Sequence, residues 1–273
     1  MPTTNDYRVK PGSKAKLSDW DPENTAGLDR EDAEAKLEAN RERIAELQYK
    51  MYAEGKRALL VIFQAMDAAG KDSTTRHVFK GVNPTGIEVT SFKKPSEEEL
   101  AHDFLWRIHK AVPARGSIGV FNRSHYEDVL VVRVEDLVPK KVWSRRYELI
   151  RAFESQLRQA GTEIVKIYLH ISKEQQRRRL LKRITDPKRH WKFNAADFEA
   201  RAKWDDYREA YEDALAECST EDAPWHVVPA DHKWFRKYLV SEIVREALER
   251  IDPKYPGPEI DPAEAMALVE RYD

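Results

Sequence analysis

The chain of 273 residues holds a single cysteine, Cys218, so no disulfide can form within it. It has no run of 18 or more apolar residues, which excludes a membrane-spanning helix. No apolar signal core follows the polar start Met1–Asp6, and together with the lone thiol this predicts a cytoplasmic protein. An excess of charge of one sign is also missing. Lys and Arg number 47 against 48 Asp and Glu, a net charge of -1 although 35% of the residues are charged. A chain so balanced is not steered as a whole toward polyanions, and any anion binding has to come from local clusters. The histidines lack a spacing such as H-E-x-x-H, which argues against zinc. Ser124 and His125 are adjacent and sit in no G-x-S-x-G elbow, which argues against a serine nucleophile. Internal repeats and low-complexity tracts are absent.

What is present is an alternation of apolar runs and helical patterns. Strands are predicted at 58–63, 87–92, 117–121, 163–171 and 225–229, and helices at 30–54, 71–80, 97–110, 141–160, 173–184, 197–217 and 235–250. Such alternation predicts an α/β fold, a parallel sheet with helices on both faces. Residues 1–29 read as an irregular arm, 30–252 as one α/β domain, and 253–273 as a proline-bearing tail with a short helix. Ligands of such a sheet bind beyond the carboxyl ends of the strands. The segments after the first and third strands, 64–71 and 122–128, should therefore share a site.

The first of these is Gln64-Ala65-Met66-Asp67-Ala68-Ala69-Gly70-Lys71-Asp72-Ser73. Strand, small-residue turn, Gly-Lys and helix form the context of a phosphate-binding loop. Ala68, Ala69 and Gly70 would let phosphate reach the amides that open the helix, and Lys71 would add charge at the transferred phosphoryl group. The first glycine of the usual pattern is replaced by Ala65, and the Ser/Thr after the lysine by Asp72. Asp67, also in the loop, is either a helix cap or a ligand of a divalent cation, with the metal role favoured. A helix cap is the expectation for Asp72.

In the second segment, Asn122 occupies a position that often carries a metal-binding aspartate, and Arg123 is placed to neutralise phosphoryl charge. Glu127 and Asp128 suit a metal, the polar groups of a nucleotide, or a plain surface. Residues 177–192 hold eight Lys or Arg and one acid. Arg179, Lys182 and Arg183 share a helical face there, with Pro187 ending the helix. This is a basic hinged lid, expected at about 175–200. Arg76, Lys80, Lys93 and Lys94 extend the positive path. Lys80 lies far enough along its helix to favour an elongated ligand. Trp204, Tyr207 and Tyr211 are read as core.

The ordered set Met66–Ser73, Phe121–Tyr126, Asp186-Pro187-Lys188, Trp191-Lys192, Trp204–Tyr207, Pro224-Trp225 and Pro229–Trp234 closely resembles the polyphosphate kinase type-2 family over residues 30 to 250. The resemblance implies a three-layer phosphate-loop kinase core similar to thymidylate kinase, with a helical lid. It implies Mg2+-dependent phosphoryl transfer, Mn2+ substituting, between inorganic polyphosphate and nucleotides. It carries roles onto Asp67, Lys71, Arg123, Arg183 and Lys80. The Asn122 form, with His125, Glu127 and Asp128, resembles the subgroup acting on both AMP and ADP and forming ATP. Arg133 joins Glu127 and Asp128 as an expected nucleotide contact, Ala68–Ser73 and Arg179 as phosphate contacts. The resemblance also implies a homodimer or homotetramer, with helix 30–54 as the contact; neither nucleic acid nor membrane is an expected partner. The alternatives are an ATP-dependent nucleoside monophosphate kinase and a non-catalytic polyanion-binding protein.

Overall fold

The computed structural model describes residues 3–192 and 194–272. Five strands, β1 (Ala58–Gln64), β2 (Ile87–Ser91), β3 (Ile118–Asn122), β4 (Thr162–His170) and β5 (Trp225–Pro229), form one sheet in the order β2-β3-β1-β4-β5. Every pairing is parallel. All seven residues of β1 are buried, as an apolar run covered on both faces requires. The helices are α1 (Arg30–Glu54), α2 (Lys71–Val78), α3 (Glu97–Leu100), α4 (Trp106–His109), α5 (Val131–Val134), α6 (Lys140–Gln159), α7 (Lys173–Thr185), α8 (Ala196–Ala202), α9 (Trp204–Cys218), α10 (Lys233–Ile251) and α11 (Pro262–Tyr272). One layer holds α1, α2 and α10, and the other α5, α6 and α9.

Helix α1 starts where the Asp29 side chain accepts from Asp32 N at 2.9 Å and stops at Gly55 in the left-handed region. Its stripe of Leu37, Ile44, Leu47 and Met51 is buried within the chain, beside α10, so this face is not left over for a partner subunit. The helix expected at 97–110 is two single turns, because Asp103 accepts from Leu105 N and starts a new turn between them. The helix expected at 197–217 breaks at Lys203 into α8 and α9.

Arm residues 3–29 carry only 3-10 turns, yet they are not loose. Tyr7, Val9, Ala15 and Leu17 are buried in the core. Arg8 bridges His226 in antiparallel sense and Val9 N donates to Trp225 O at 2.9 Å, so the arm covers the outer edge of β5. No helix among the described residues is long and apolar enough to cross a membrane.

Candidate active site

The register Phe63↔Asn122 sets the ends of β1 and β3 side by side. The chain after β3 then turns back on the loop: Arg123 N donates to Phe63 O at 3.0 Å with Arg123 at φ +61°. A left-handed arginine is uncommon and persists only where its surroundings fix it. Here it directs the guanidinium across the loop, where Nη2 donates to Asp67 Oδ1 at 3.0 Å. Glu127 is the largest influence raising the Arg123 pKa, Asp67 adding in the same direction, so the guanidinium stays charged.

The loop itself is built from small residues for steric reasons. Ala68 lies at φ +61° and Gly70 at φ +106°. A Cβ on Gly70 would come within 2.5 Å of Arg236 Nη1, so glycine is required twice, for conformation and for space. Gly70 caps α2 and leaves its first amides to face the site, a ready anion cradle. Lys71 Nζ donates back to Ala65 O at 3.3 Å. Burial pulls the Lys71 pKa down, Arg123 adding to the effect, while Asp67, Glu127 and Asp72 oppose it.

The two departures from the usual loop pattern meet in space. Asn122 Nδ2 donates to the Asp72 carboxylate, which therefore does not cap the helix as expected. The second segment is anchored from below by a buried network. Lys166 Nζ, on β4, donates to Glu154 Oε2 at 2.6 Å, to Tyr126 OH at 3.1 Å and to Cys218 O at 2.5 Å. Glu154 Oε1 accepts from Tyr126 OH at 2.8 Å and faces His125 Nε2 at 3.3 Å. Ser124 Oγ accepts from Tyr126 N, so Ser124 and His125 form no nucleophile-base pair.

Several predicted residues are placed otherwise than expected. Arg179 gives its four terminal N–H groups to backbone oxygens, Nη1 to Ala68 and Ala69 at 3.1 and 2.8 Å and Nη2 to Ala230 and Asp231 at 2.6 and 3.0 Å. It ties the loop to the Ala230–Asp231 turn. Arg133 pairs with Asp213 and Glu209 at 2.6 Å each and lies over the Trp143 ring, which holds α5 against α9. Asp128 accepts from Arg146 at 3.0 Å, and burial raises its pKa to about 6. In the lid, Arg183 pairs with Asp197 and also donates to Lys192 O. Lys80 and Lys182 are exposed, and Ser73 O accepts the His77 ring. Tyr211 is core as expected, with Trp204 and Tyr207 packed against it in part.

Four residues at the site escape the sequence reading. Asp197 on α8 is buried, and its pKa is raised by burial first and then by Asp67, which puts it in the field of the loop. Gln176 ties the lid to the loop by donating to Asp67 O at 3.1 Å. Lys166 and Arg236 carry a visible signal: a lysine in the middle of an apolar strand, and an arginine on the Leu239, Val240 and Ile243 stripe of α10.

A parallel sheet with a small-residue loop, a lysine at a helix start and an arginine from the adjacent strand end defines a phosphate-loop kinase. The polyphosphate kinase 2 profile matches residues 27–256. The chain is 52% identical over 257 residues to the AMP/ADP-polyphosphate phosphotransferase of Meiothermus ruber, covering 93% of this chain and 96% of that one. It is 46% identical over 280 residues to the ADP-polyphosphate phosphotransferase of Rhodopseudomonas palustris, covering 98% and 96%. The crystal structure of polyphosphate kinase 2 from Arthrobacter aurescens TC1 superposes with a TM-score of 0.95 at 45% identity, covering 99% and 97%. The chain belongs to the polyphosphate kinase 2 family, whose members transfer phosphate between polyphosphate and nucleotides.

Proposed function

We propose that the protein transfers phosphoryl groups from inorganic polyphosphate to AMP and ADP, forming ADP and ATP. The observation that carries this reading is the convergence of Asp67, Lys71 and Arg123 at the N-terminus of α2, with a basic lid above. Phosphates of the donor chain lie against the amides of Gly70 and Lys71, where α2 opens, while the Ala69 amide is held by Met66 O. A terminal phosphate oxygen of the acceptor attacks the end phosphorus of the chain. The new P–O bond forms as the old one breaks, and its electron pair leaves on the shortened polyphosphate. Lys71 and Arg123 neutralise the equatorial oxygens, so the rate gain comes from positioning and charge. The attacking oxygen is already a phosphate oxygen, and no general base is needed.

With Asp72 engaged by Asn122, Asp67 is the loop carboxylate left to meet a cation, and a single carboxylate suits a hard divalent ion that keeps water and phosphate ligands. Asp67, through the oxygen not held by Arg123, would hold Mg2+ or Mn2+, which supplies charge neutralisation between donor and acceptor. Glu127 is the acid that faces the acceptor beside Arg123. Lys80, Lys182 and the freed Arg183 line the path of the chain. A cytoplasmic location and a homo-oligomer go with this reading.

The test is donor choice. Incubating the protein with AMP or ADP, a divalent cation and either long-chain polyphosphate or ATP should give conversion with polyphosphate alone. Transfer from ATP only would make it a nucleoside monophosphate kinase, and salt-sensitive polyanion binding without turnover a non-catalytic binder. Asp67→Asn and Lys71→Met should each lower kcat by about 100-fold or more.

A further inference from the structure

Among the described residues the buried charge of Arg236, behind the loop, has no acidic partner. Arg236 is 1% exposed, Nη1 donates to Ala69 O, and Nε is buried without a hydrogen-bond partner. Among the described residues no carboxylate acts on Arg236, and Asp231 is the one acid that acts on Arg179 beside it. Asp231, the acid nearest Arg179, is occupied by Ser172: Oδ1 accepts from its N at 2.9 Å and Oδ2 from its Oγ at 2.6 Å. Burying an unpaired cation is costly, and a carbonyl contact recovers only part of that cost. Folding alone does not account for this arginine. A methionine would fill the same place on the apolar stripe of α10 without that penalty, and Ala69 O would still accept from Arg179.

The location supplies the missing half of the pair. Both guanidiniums donate to the carbonyls of Ala68 and Ala69, the residues that lead directly into the N-terminus of α2. We propose that Arg236, with Arg179, is the built-in counter-charge of the phosphate chain bound across the loop, a positioning residue that acts through Ala68–Gly70 without touching substrate. This rests on the phosphate-loop reading given above. The two arginines draw the Ala68 and Ala69 carbonyls backward, which keeps oxygen lone pairs away from the phosphates. Through low-dielectric protein their charge also reaches an anion at that N-terminus far more strongly than it would through water. Burial, with Arg179 adding to it, pulls the Arg236 pKa down to about 9, the same imbalance expressed in proton affinity. The geometry thus favours occupancy by an anion over the empty loop.

Thermal unfolding of the wild type, Arg236→Met and Arg236→Lys, with and without inorganic tripolyphosphate, tests this, together with KM for polyphosphate. Without ligand the Met variant should unfold at or above the wild-type temperature. Its stabilisation by tripolyphosphate should be largely lost and its KM raised about 10-fold, within the range usual for two coupled sites. The Lys variant, keeping the charge, should regain most of the ligand-induced shift. A Met variant that is less stable than the wild type without ligand, or fails to fold, would overturn the inference by making the guanidinium structural. So would a ligand shift that is unchanged in the Met variant, or a Lys variant that behaves like Met. A wild type that tripolyphosphate does not stabilise would overturn the phosphate-loop reading as well, so the two failures are distinguishable.

Discussion

At position 72 a carboxylate stands where phosphate-binding loops commonly carry a hydroxyl, and at 122 an amide stands where a carboxylate is common. The contact from Asn122 Nδ2 to Asp72 joins the two changes into one exchange of donor and acceptor. An aspartate at 122 would set two carboxylates against each other, and like charges in contact are strongly unfavourable. Asn122→Asp should therefore lower kcat/KM by about 100-fold, a loss of the size produced by removing a positioned charge partner. The double variant Asp72→Asn, Asn122→Asp should recover most of that loss, which steady-state kinetics on the four proteins would measure. Effects that simply multiply would show that the two positions act independently. Residue by residue, the sequence makes Asp67, Lys71 and Arg123 legible because each follows a strand end, a local pattern. Asp72 is misread as a cap, and the partners of Arg179 go unseen, because they are set by the β1–β3 register and by the approach of α7, which no local window contains.

Between Ser172 and Lys203 the lid elements α7 and α8 present their own electrostatics. Lys182 and Lys188 are exposed and have no ion-pair partner among the described residues, whereas Arg183 is latched to Asp197. Exposed charges act over about a Debye length and are screened by salt. If they track a linear polyanion, binding of long-chain polyphosphate should weaken steeply with ionic strength. Replacing Lys182 and Lys188 by Ala should flatten the log–log salt dependence by about one per residue removed, by analogy with phosphate contacts elsewhere. An unchanged slope would place the chain elsewhere. At this scale the sequence reads the strands well, since continuous apolar runs mark buried parallel strands. It reads 97–110 and 197–217 as single helices because helical periodicity survives across a break made by one side-chain cap or one backbone angle.

For the molecule as a whole, the seam between arm and sheet sets an acid limit. Arg8 Nε donates to His226 Nε2 at 3.2 Å, and an arginine can only donate, so Nε2 carries no proton and Nδ1 is the nitrogen donating to Lys166 O. Burial, with Arg8 adding to it, lowers the His226 pKa from 6.5 to about 3. Above pH 6.5 the ring is neutral in the folded and unfolded chains, and its contribution to stability is complete. As pH falls from 6.5 toward 3 only the unfolded chain takes up the proton, so stability is lost. Between pH 7.5 and 5 the loss from this ring is about 2 kcal/mol, and His125, held down by its own burial, adds in the same direction. Urea midpoints across that range should show the decline, and His226→Gln should shrink it; an equal slope in the variant would assign the acid sensitivity elsewhere. The same seam bears on how the protein is handled. Val9 and Arg8 occupy the free edge of β5, and an uncovered edge is a template for strand addition by another chain. A chain trimmed through Leu17 would expose that edge and tend to aggregate. Helix α11 buries no residue within the chain, so a surface tether or affinity tag attached there leaves the β5 edge covered.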